Sequence, residues 1–396
     1  MIHPARVVVV GASAAGLRVT EELRRIGYRG SLVLIGSEVH LPYDRPPLSK
    51  QVLTGAWGAD RAALTTSERL AGLDIDVHLD RPAAALDATS RCVTFRDGSG
   101  LRADAVVVAT GSAARRLPAG SELAGVHSVR TIEDSQRLRA DLVQGRHLVV
   151  IGAGFLGMEI AAAGRSAGLD VTVVSASGPL ERAVGAAASR ALADLHRERG
   201  VRLIRGSVDR LVDVAGRVAG VLLVDGPELP ADLVVVAIGA VPATDWLTGS
   251  GLTIDDGVVC DSTLQAAEGI FAVGDVARWL EPRTGRLMRI EHRTHATDSA
   301  ALAAMNVLGG GVDFAPLPFW WSDQYDARIQ AYGRPCGTAH LWQGDLADRK
   351  AVILFSAGNL LTGAVGWNAA KQLRAARELL VQGAALGDAG ASVPLP

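Results

Sequence analysis

The sequence predicts an α/β protein with two dinucleotide-binding domains and a C-terminal α+β domain. Residues 6–26 and 147–167 each combine an apolar strand, a glycine-rich turn and a helix with one apolar face. Two such copies, far apart in the chain, indicate a duplicated βαβ domain of the Rossmann type rather than a solenoid repeat. Residues 316–396 differ in composition, because they hold four of the seven tryptophans together with strand-like runs and a helix-patterned segment over residues 369–380.

The first turn runs from Gly11 to Gly16 and has Ser13 where such turns usually have a middle glycine. The first glycine permits the tight bend and the last permits close packing of the helix on the strand, while serine adds only a small hydroxyl. We therefore expect a pyrophosphate at the N-terminus of the helix that follows. Glu38 comes directly after the next strand, over residues 31–36, and is suited to bind a ribose hydroxyl.

Two later segments read as further strands of the same sheet. Residues 106–112 and 269–275 are apolar runs that end in small-residue turns, and the second run ends at Asp275. Ligands of open α/β sheets bind at the carboxyl ends of the strands, so Asp275 is a candidate cofactor ligand. By pattern alone, each segment also fits an ordinary strand exit.

Composition narrows the class of function. With 40 basic and 42 acidic residues the net charge is −2, which disfavours nucleic acid and membrane partners. Cys92, Cys260 and Cys336 lie far apart, so the chain has neither a CxxC redox motif nor the cysteine spacing of a zinc site. With no signal peptide and no apolar run of 18 residues, we expect a soluble cytoplasmic protein. Two dinucleotide folds imply hydride transfer between NAD(P)H and FAD, and electrons that leave to an external acceptor.

Several motifs together resemble the FAD-dependent ferredoxin reductases, which have a glutathione-reductase-type fold and include putidaredoxin, rubredoxin and biphenyl-dioxygenase reductases. The most specific motifs are RPPLSK (residues 45–50) and WSDQYD (residues 321–326), and the resemblance extends from Arg6 to about Leu380. It implies an NAD(P)H:ferredoxin reductase whose acidic iron–sulfur ferredoxin serves a cytochrome P450 or a Rieske oxygenase. It also implies a monomer or weak homodimer.

The resemblance further implies the site residues and the domain limits. Lys50 would lie near flavin N5 and pair with Glu159 beside the nicotinamide, Asp275 would accept from a ribityl hydroxyl, and Arg45 and Arg130 would reach adenosine or phosphate oxygens. The implied FAD set is Gly11, Ser13, Ala14, Ala15, Gly16, Glu38, Arg45, Lys50, Ala83, Ala109, Thr110, Gly111, Arg130, Gly274, Asp275 and Arg293. The implied NAD(P)H set is Gly152, Gly154, Phe155, Leu156, Gly157, Glu159, Ser175, Arg182 and Gly239. The expected domains are FAD-binding over residues 1–113 and 245–315, NAD(P)H-binding over residues 114–244, and C-terminal over residues 316–396 with a loose tail from about residue 383.

Three positions depart from the family pattern. Ser175 stands where the family usually has an acid for the NADH ribose, and the next arginine is Arg182, so NADH is slightly favoured and NADPH stays open. Arg293 stands where several relatives have Trp or Val. Three alternatives stay open: Arg293 lies near the pyrimidine edge of the flavin and raises its potential, it contacts a different acceptor, or it points away and pairs with an acid such as Glu291. Asp298 and Ser299 replace the usual Glu-Gln, which makes the start of the flavin-facing helix harder to assign.

The segment after Asp275 is rich in arginine, including Arg278, Arg283 and Arg286. A basic patch beside the flavin would attract an acidic ferredoxin, although a solvated loop is the alternative. Two other functions fit the sequence. One is a flavin NAD(P)H oxidase or reductase that uses small acceptors directly. The other is a redox-responsive binding flavoprotein like apoptosis-inducing factor, which shares this fold.

Overall fold

The computed structural model describes residues 4–390 and 393–395. The chain divides into two compact units, and the domain limits expected above stay a proposal. The first unit comprises Met1–Asp44, Ala59–Ala113 and Ala240–Pro316, and the second comprises Arg45–Gly58, Ala114–Gly239 and Leu317–Pro396. The α-helices of the described residues are α1 (Ala14–Arg25), α2 (Gln51–Thr54), α3 (Ser67–Gly72), α4 (Ile132–Asp141), α5 (Phe155–Ser166), α6 (Glu181–Glu198), α7 (Arg293–Val307) and α8 (Ala370–Gln382). Short 3₁₀ helices cover Pro46–Ser49, Ala59–Ala62, Asp245–Leu247, Gly274–Val276 and Gly387–Ala389.

The first unit is built on a six-stranded sheet that is parallel except at one edge. Its central strand is Arg6–Val10, whose four valines are buried because helices α1 and α7 lie against a sheet of β-branched residues. In spatial order the strands are Gln265–Ala267, Ile270–Ala272, Ala105–Val108, Arg6–Val10, Ser31–Ile35 and Asp76–His78. Two three-stranded sheets complete the unit: Ala83–Asp87, Cys92–Phe95 and Gly100–Arg102, and Val258–Cys260, Ala277–Glu281 and Arg286–Met288.

The second unit contains a parallel five-stranded sheet of the same kind. Its central strand, His147–Ile151, pairs in parallel with a strand on each side. In spatial order the strands are Arg202–Arg205, Asp170–Ser175, His147–Ile151, Leu233–Val236 and Val126–His127. A three-stranded antiparallel sheet follows, with strands Val208–Val214, Arg217–Leu223 and Glu228–Pro230. Two further short strands, Ser112–Ala114 and Ala240–Pro242, lie where the chain passes from one unit to the other.

The C-terminal part of the second unit is an antiparallel sheet with helix α8 packed on it. The predicted α/β architecture with a C-terminal α+β portion is therefore confirmed. In spatial order the strands are Phe319–Gln324, Ala327–Gly333, Leu360–Trp367, Lys350–Ala357, Thr338–Asp345 and Val393–Pro394. No helix in the described part of the chain has the length and apolar character needed to cross a membrane.

The expected loose tail is wrong for the residues that the structure describes. Trp342 Nε1 donates to the Ala389 carbonyl at 2.7 Å, and the Leu386 N–H donates to the Asn359 carbonyl at 2.8 Å. The tail is held because Leu386 and Ala389 pack against the apolar cluster under α8, and because Val393–Pro394 adds a strand to the sheet. Residues 391, 392 and 396 lie outside the described residues.

Candidate functional site

The first glycine turn is shaped for a dinucleotide. Gly11 has φ = +120°, and a Cβ there would overlap the Ala109 carbonyl, while a Cβ on Gly16 would overlap the Gly11 carbonyl. Helix α1 follows the turn, and its N-cap residue Ser13 makes no capping hydrogen bond through its side chain. Its first turn holds no acidic residue either, whereas helix α4 is closed by the capping box of Thr131. An uncapped, acid-free helix start fits the pyrophosphate of FAD.

Four neighbouring strands bring the predicted FAD residues of this unit to one edge. The turn follows Arg6–Val10, Glu38 follows Ser31–Ile35, Ala109 to Gly111 follow Ala105–Val108, and Gly274 to Asp275 follow Ile270–Ala272. Because the carboxyl ends of parallel strands meet at the same edge, residues far apart in sequence converge there. Ala14 and Ala15 lie buried at the start of α1, but Ala83 lies in the separate sheet that begins with Ala83–Asp87.

Hydrogen bonds hold the two acids of this edge. Tyr43 donates its hydroxyl to Glu38. Ser112 Oγ donates to Asp275 Oδ2 at 2.9 Å. The Gly274 N–H donates to Ser299 Oγ at 3.0 Å, so Ser299, a departure from the family pattern, fixes the turn that carries Asp275. Both acids are thus held in place by neighbours in the first unit.

One buried histidine, His295, and one half-buried histidine, His292, lie near Asp275. His295 stacks on Trp279 with ring centroids 4.9 Å apart, and burial lowers its pKa to about 3, so the ring is neutral at physiological pH. Burial also lowers the pKa of His292, to about 4. His292 Nδ1 and both ring nitrogens of His295 are buried with no hydrogen-bond partner among the described residues. Buried polar atoms of this kind fit a site that takes a polar ligand.

Arg293, the first residue of α7, forms an ion pair with Asp44. Arg293 therefore pairs with an acid, as one of the alternatives expected. The expected partner, Glu291, is wrong, because Glu291 forms an ion pair with Arg289 at 2.5 Å. An effect of Arg293 on the flavin potential stays a prediction. The Asp44 carboxylate offsets part of the positive charge on which that effect depends.

The second glycine turn repeats the geometry of the first in the second unit. Gly152 has φ = +108°, and a Cβ there would overlap the Ala237 carbonyl, while a Cβ on Gly157 would overlap the Gly152 carbonyl. Gly154 is the N-cap of α5 and faces open space, since an added Cβ would have no heavy atom within 4 Å. Helix α5 has no acid in its first turn. This turn fits the pyrophosphate of NAD(P)H.

The remaining predicted NAD(P)H residues occupy the same unit. Phe155 packs edge-on against Trp320, with ring centroids 4.7 Å apart, and Leu156 is half-buried beside it. Gly239 follows the strand Leu233–Val236 with φ = +95°, and its carbonyl accepts the Arg115 N–H at 3.0 Å. Ser175 ends the strand Asp170–Ser175, whereas Arg182 lies exposed one residue into α6.

Lys50 and Glu159, predicted as partners, form a buried ion pair. Lys50 Nζ lies 2.6 Å from Glu159 Oε2, and the two side chains are 13% and 5% exposed. Ser49 Oγ donates to the same Oε2 at 2.6 Å, and Ser322 Oγ donates to Oε1 at 2.6 Å. Both carboxylate oxygens are therefore occupied, which fixes the position of the acid.

A chain of polar side chains extends from Glu159 into the unit. Gln324 Nε2 donates to Ser322 Oγ at 3.0 Å, and Gln324 Oε1 lies 2.8 Å from His196 Nε2. Burial lowers the pKa of His196 to about 4, so the ring is neutral and Nε2 is the donor in this bond. Sequence reasoning missed the roles of Ser49, Ser322 and Gln324, although all three lie in the motifs RPPLSK and WSDQYD.

The RPPLSK motif forms a 3₁₀ helix over Pro46–Ser49, since two prolines pre-set φ for a tight turn. Arg45 donates to the Arg130 carbonyl, and the Arg130 N–H donates to Asp134 Oδ2 at 2.9 Å. Arg45, Lys50 and Arg130, which were implied as FAD residues, thus all belong to the second unit.

The arginine-rich segment is mostly charge-balanced in the first unit. Arg278 pairs with Asp255, and Arg283 pairs with Glu281 at 2.7 Å. Arg286 is exposed and has no acidic partner among the described residues. Counting charges along the segment alone misses Asp255, because the fold brings it in from the loop before the strand Val258–Cys260.

All three cysteines are free. Cys260 is buried and its pKa is raised to about 12 by burial, so its thiol is unreactive. Cys92 is half-buried and Cys336 is exposed, and they belong to different units.

Comparisons with known proteins agree over nearly the whole chain. The family model described as pyridine nucleotide-disulphide oxidoreductase matches residues 5–300, and the model described as reductase C-terminal matches residues 319–392. Rhodocoxin reductase of Rhodococcus erythropolis is 34% identical over 379 residues, which cover 94% of this chain and 89% of that protein. The ferredoxin–NAD(+) reductase component of the anthranilate 1,2-dioxygenase system of Burkholderia cepacia is 37% identical over 388 residues, or 95% and 94% of the two chains. The reductase in the crystal structure of a covalent putidaredoxin reductase–putidaredoxin complex has a TM-score of 0.90 at 31% identity, with 96% and 93% of the chains covered.

Proposed function

This chain belongs to the pyridine nucleotide-disulphide oxidoreductase family, and we propose that it passes electrons from NAD(P)H through FAD to an iron–sulfur ferredoxin. The ferredoxin would serve a cytochrome P450 or a Rieske oxygenase. Similarity to ferredoxin reductases over more than nine-tenths of the chain is the observation that carries the proposal. The three free cysteines support an external acceptor, because they offer no disulfide to receive electrons from the flavin.

Under this proposal, each unit supplies one dinucleotide site. FAD, when bound, accepts two electrons as a hydride and can release them one at a time. The uncapped starts of α1 and α5 bind the two pyrophosphates, and Asp275, held by Ser112, accepts from a cofactor hydroxyl. Lys50 and Glu159 act beside the reacting atoms. The ion pair and its two serine donors hold Glu159 in one orientation, so it can bind a polar edge of the substrate without reorganising.

The acceptor is tested by NAD(P)H-dependent reduction of cytochrome c with and without a panel of iron–sulfur ferredoxins. We expect reduction to depend on an added ferredoxin. Equal NAD(P)H consumption with oxygen or a quinone as sole acceptor would instead favour the small-acceptor oxidase. Reduction of the flavin with no turnover on any ferredoxin would favour the binding flavoprotein.

Ferredoxin docking on the arginine-rich segment is part of the proposal, with Arg278, Arg283 and Arg286 as its candidates. Charge reversal in Arg286→Glu should raise the KM for ferredoxin several-fold, because Arg286 is exposed and forms no ion pair with an acid among the described residues. Arg283→Glu should have a smaller effect, since Glu281 already balances that arginine. The rate of ferricyanide reduction should stay the same in both variants. Equal losses with ferredoxin and with ferricyanide would contradict docking at this segment.

The NAD(P)H turn can be tested without disturbing the fold. Gly154→Val should raise the KM for NAD(P)H by about tenfold or more, because the side chain would stand where the pyrophosphate approaches the backbone. FAD content should match the wild type, since a Cβ at residue 154 has no heavy atom within 4 Å. The Tm should fall only slightly, because valine is a poorer N-cap residue than glycine. Gly387→Val, at another open glycine, is the control and should leave the KM unchanged. An unchanged KM in Gly154→Val would place the nucleotide elsewhere.

A further inference from the structure

A cleft of about 330 Å³ opens at the carboxyl end of the parallel sheet of the second unit. It begins at Ala153 of the second glycine turn and continues along Ser175, Ser177 and Gly178 at the end of the next strand. In a βαβ nucleotide site this is where the adenosine ribose lies, at the end of the strand after the glycine turn.

Three arginines line this cleft although none of them follows Ser175 closely in sequence. Arg190 and Arg197 come from α6, and Arg205 comes from the end of the strand Arg202–Arg205. That strand pairs in parallel with Asp170–Ser175, and the register sets Arg205 directly beside Ser175. The sequence directly after Ser175 contains no arginine, but the pairing of the two strands places Arg205 beside Ser175.

Arg205 is held at the cleft by one hydrogen bond that leaves most of its guanidinium group available. Its Nε donates to the Ala176 carbonyl at 3.1 Å. Its two terminal nitrogens have no hydrogen-bond partner in the described part of the chain. A guanidinium group with two parallel N–H donors matches two oxygens of a phosphate.

The acids near the cleft leave its charge positive. Glu181 also lines it, and its Oε2 accepts the Gly178 N–H at 2.6 Å. Asp194 pairs with Arg197 at 2.9 Å. Among the residues that line the cleft, three are arginines and one, Glu181, is an acid. The strand end itself carries the hydroxyl of Ser175, where an acid would repel a phosphate.

We propose that Arg205, with Ser175 and the neighbouring arginines, binds the 2′-phosphate of NADPH, so that this chain uses NADPH in preference to NADH. This inference rests on the proposed function and specifies NADPH as the electron donor. It replaces the slight preference for NADH that the local sequence around Ser175 favours.

The test compares two ligands that differ only in the 2′-phosphate, adenosine 2′,5′-bisphosphate and 5′-AMP, by calorimetric titration of the FAD-loaded protein. The wild type should bind the bisphosphate about tenfold or more tightly than 5′-AMP. Arg205→Gln should remove most of this difference and leave 5′-AMP affinity within about twofold. Ser175→Glu should reverse the preference. Arg202→Gln is the matched control on the same strand, since Arg202 bonds Thr172 outside the cleft, and should change neither affinity.

Several results would overturn the inference. The wild type could bind the two ligands equally well, or it could bind neither of them. Arg205→Gln could also lose affinity for both ligands to the same extent. The ratio of kcat/KM for NADPH to that for NADH, measured with ferricyanide, should fall in parallel with the binding difference. Because neither assay contains ferredoxin, failure to reduce any ferredoxin would contradict the proposed acceptor and leave the NADPH preference standing. Ferredoxin reduction driven equally well by NADH and NADPH would contradict the NADPH preference and leave the proposed acceptor standing.

Discussion

Replacing Lys50 with methionine is expected to lower the free energy of unfolding by about 3–5 kcal/mol, because the Glu159 carboxylate stays buried without its cation. The 2.6 Å separation and the low exposure of both side chains mean that water cannot replace the lost partner. Reduction of the bound flavin by NAD(P)H should slow by about 100-fold, since Glu159 loses one of the three contacts that orient it. Urea unfolding measures the first effect, and stopped-flow absorbance of the flavin measures the second.

The double variant Lys50→Met/Glu159→Gln separates charge from packing. It should recover much of the lost stability, because the uncompensated charge is gone. Ser49 and Ser322 contact different oxygens of Glu159, so in the glutamine variant one serine hydroxyl can donate to the amide oxygen while the other accepts from the amide NH₂. Flavin reduction should stay slow. Lys371→Met, at an exposed lysine, controls for the loss of a lysine as such. A double variant no more stable than Lys50→Met would show that the ion pair is not what holds this site together.

Replacing Gly11 with alanine is expected to yield a protein that does not retain FAD through purification. The new Cβ would overlap the Ala109 carbonyl, and the backbone would have to keep φ = +120°. The backbone conformation costs about 1–2 kcal/mol and the overlap about 1–3 kcal/mol, so the free energy of unfolding should fall by about 2–5 kcal/mol. Relief of the overlap moves the strand end away from the turn, which removes the cofactor cradle. The FAD-to-protein absorbance ratio and urea unfolding report the two effects.

Gly27→Ala is the matched control in the same unit. Gly27 also has a positive φ, +96°, but a Cβ there meets no atom within 4 Å. It should cost only about 1–2 kcal/mol from the backbone and should keep FAD bound. If both variants lost FAD equally, general instability rather than the shape of the turn would explain the Gly11 result.

Local pattern was sufficient for the parts of this protein that are built from neighbouring residues. The two glycine turns follow their strands, and the first strand is Arg6–Val10 as expected. Each of these units is predictable because its apolar strand, glycine turn and helix lie within about twenty consecutive residues. The helix expected over residues 369–380 is Ala370–Gln382. The Lys50–Glu159 pair came from family resemblance, since no local signal joins two residues 109 positions apart.

Long-range pairs were the part that local pattern missed. Asp44 meets Arg293 across 249 positions and Ser322 meets Glu159 across 163, so only the fold identifies these partners. Arg205 reaches Ser175 through the register of two parallel strands, a signal that becomes readable only after the strand order is known. The expectation of a loose tail from about residue 383 is wrong for a related reason. Its small residues look unstructured in sequence, but they pack against an apolar cluster that other segments build.

Ser322, in the C-terminal sheet, donates a hydrogen bond to Glu159, so this sheet helps to position a residue of the proposed nucleotide site. A chimera that took its last eighty or so residues from a relative would import new neighbours for Glu159, not merely a new surface. To keep hydride transfer at its native rate, such a graft must preserve a hydroxyl at residue 322 and an amide at residue 324. The two segments that the family models match separately are thus joined in this chain by hydrogen bonds from Ser322 and Gln324.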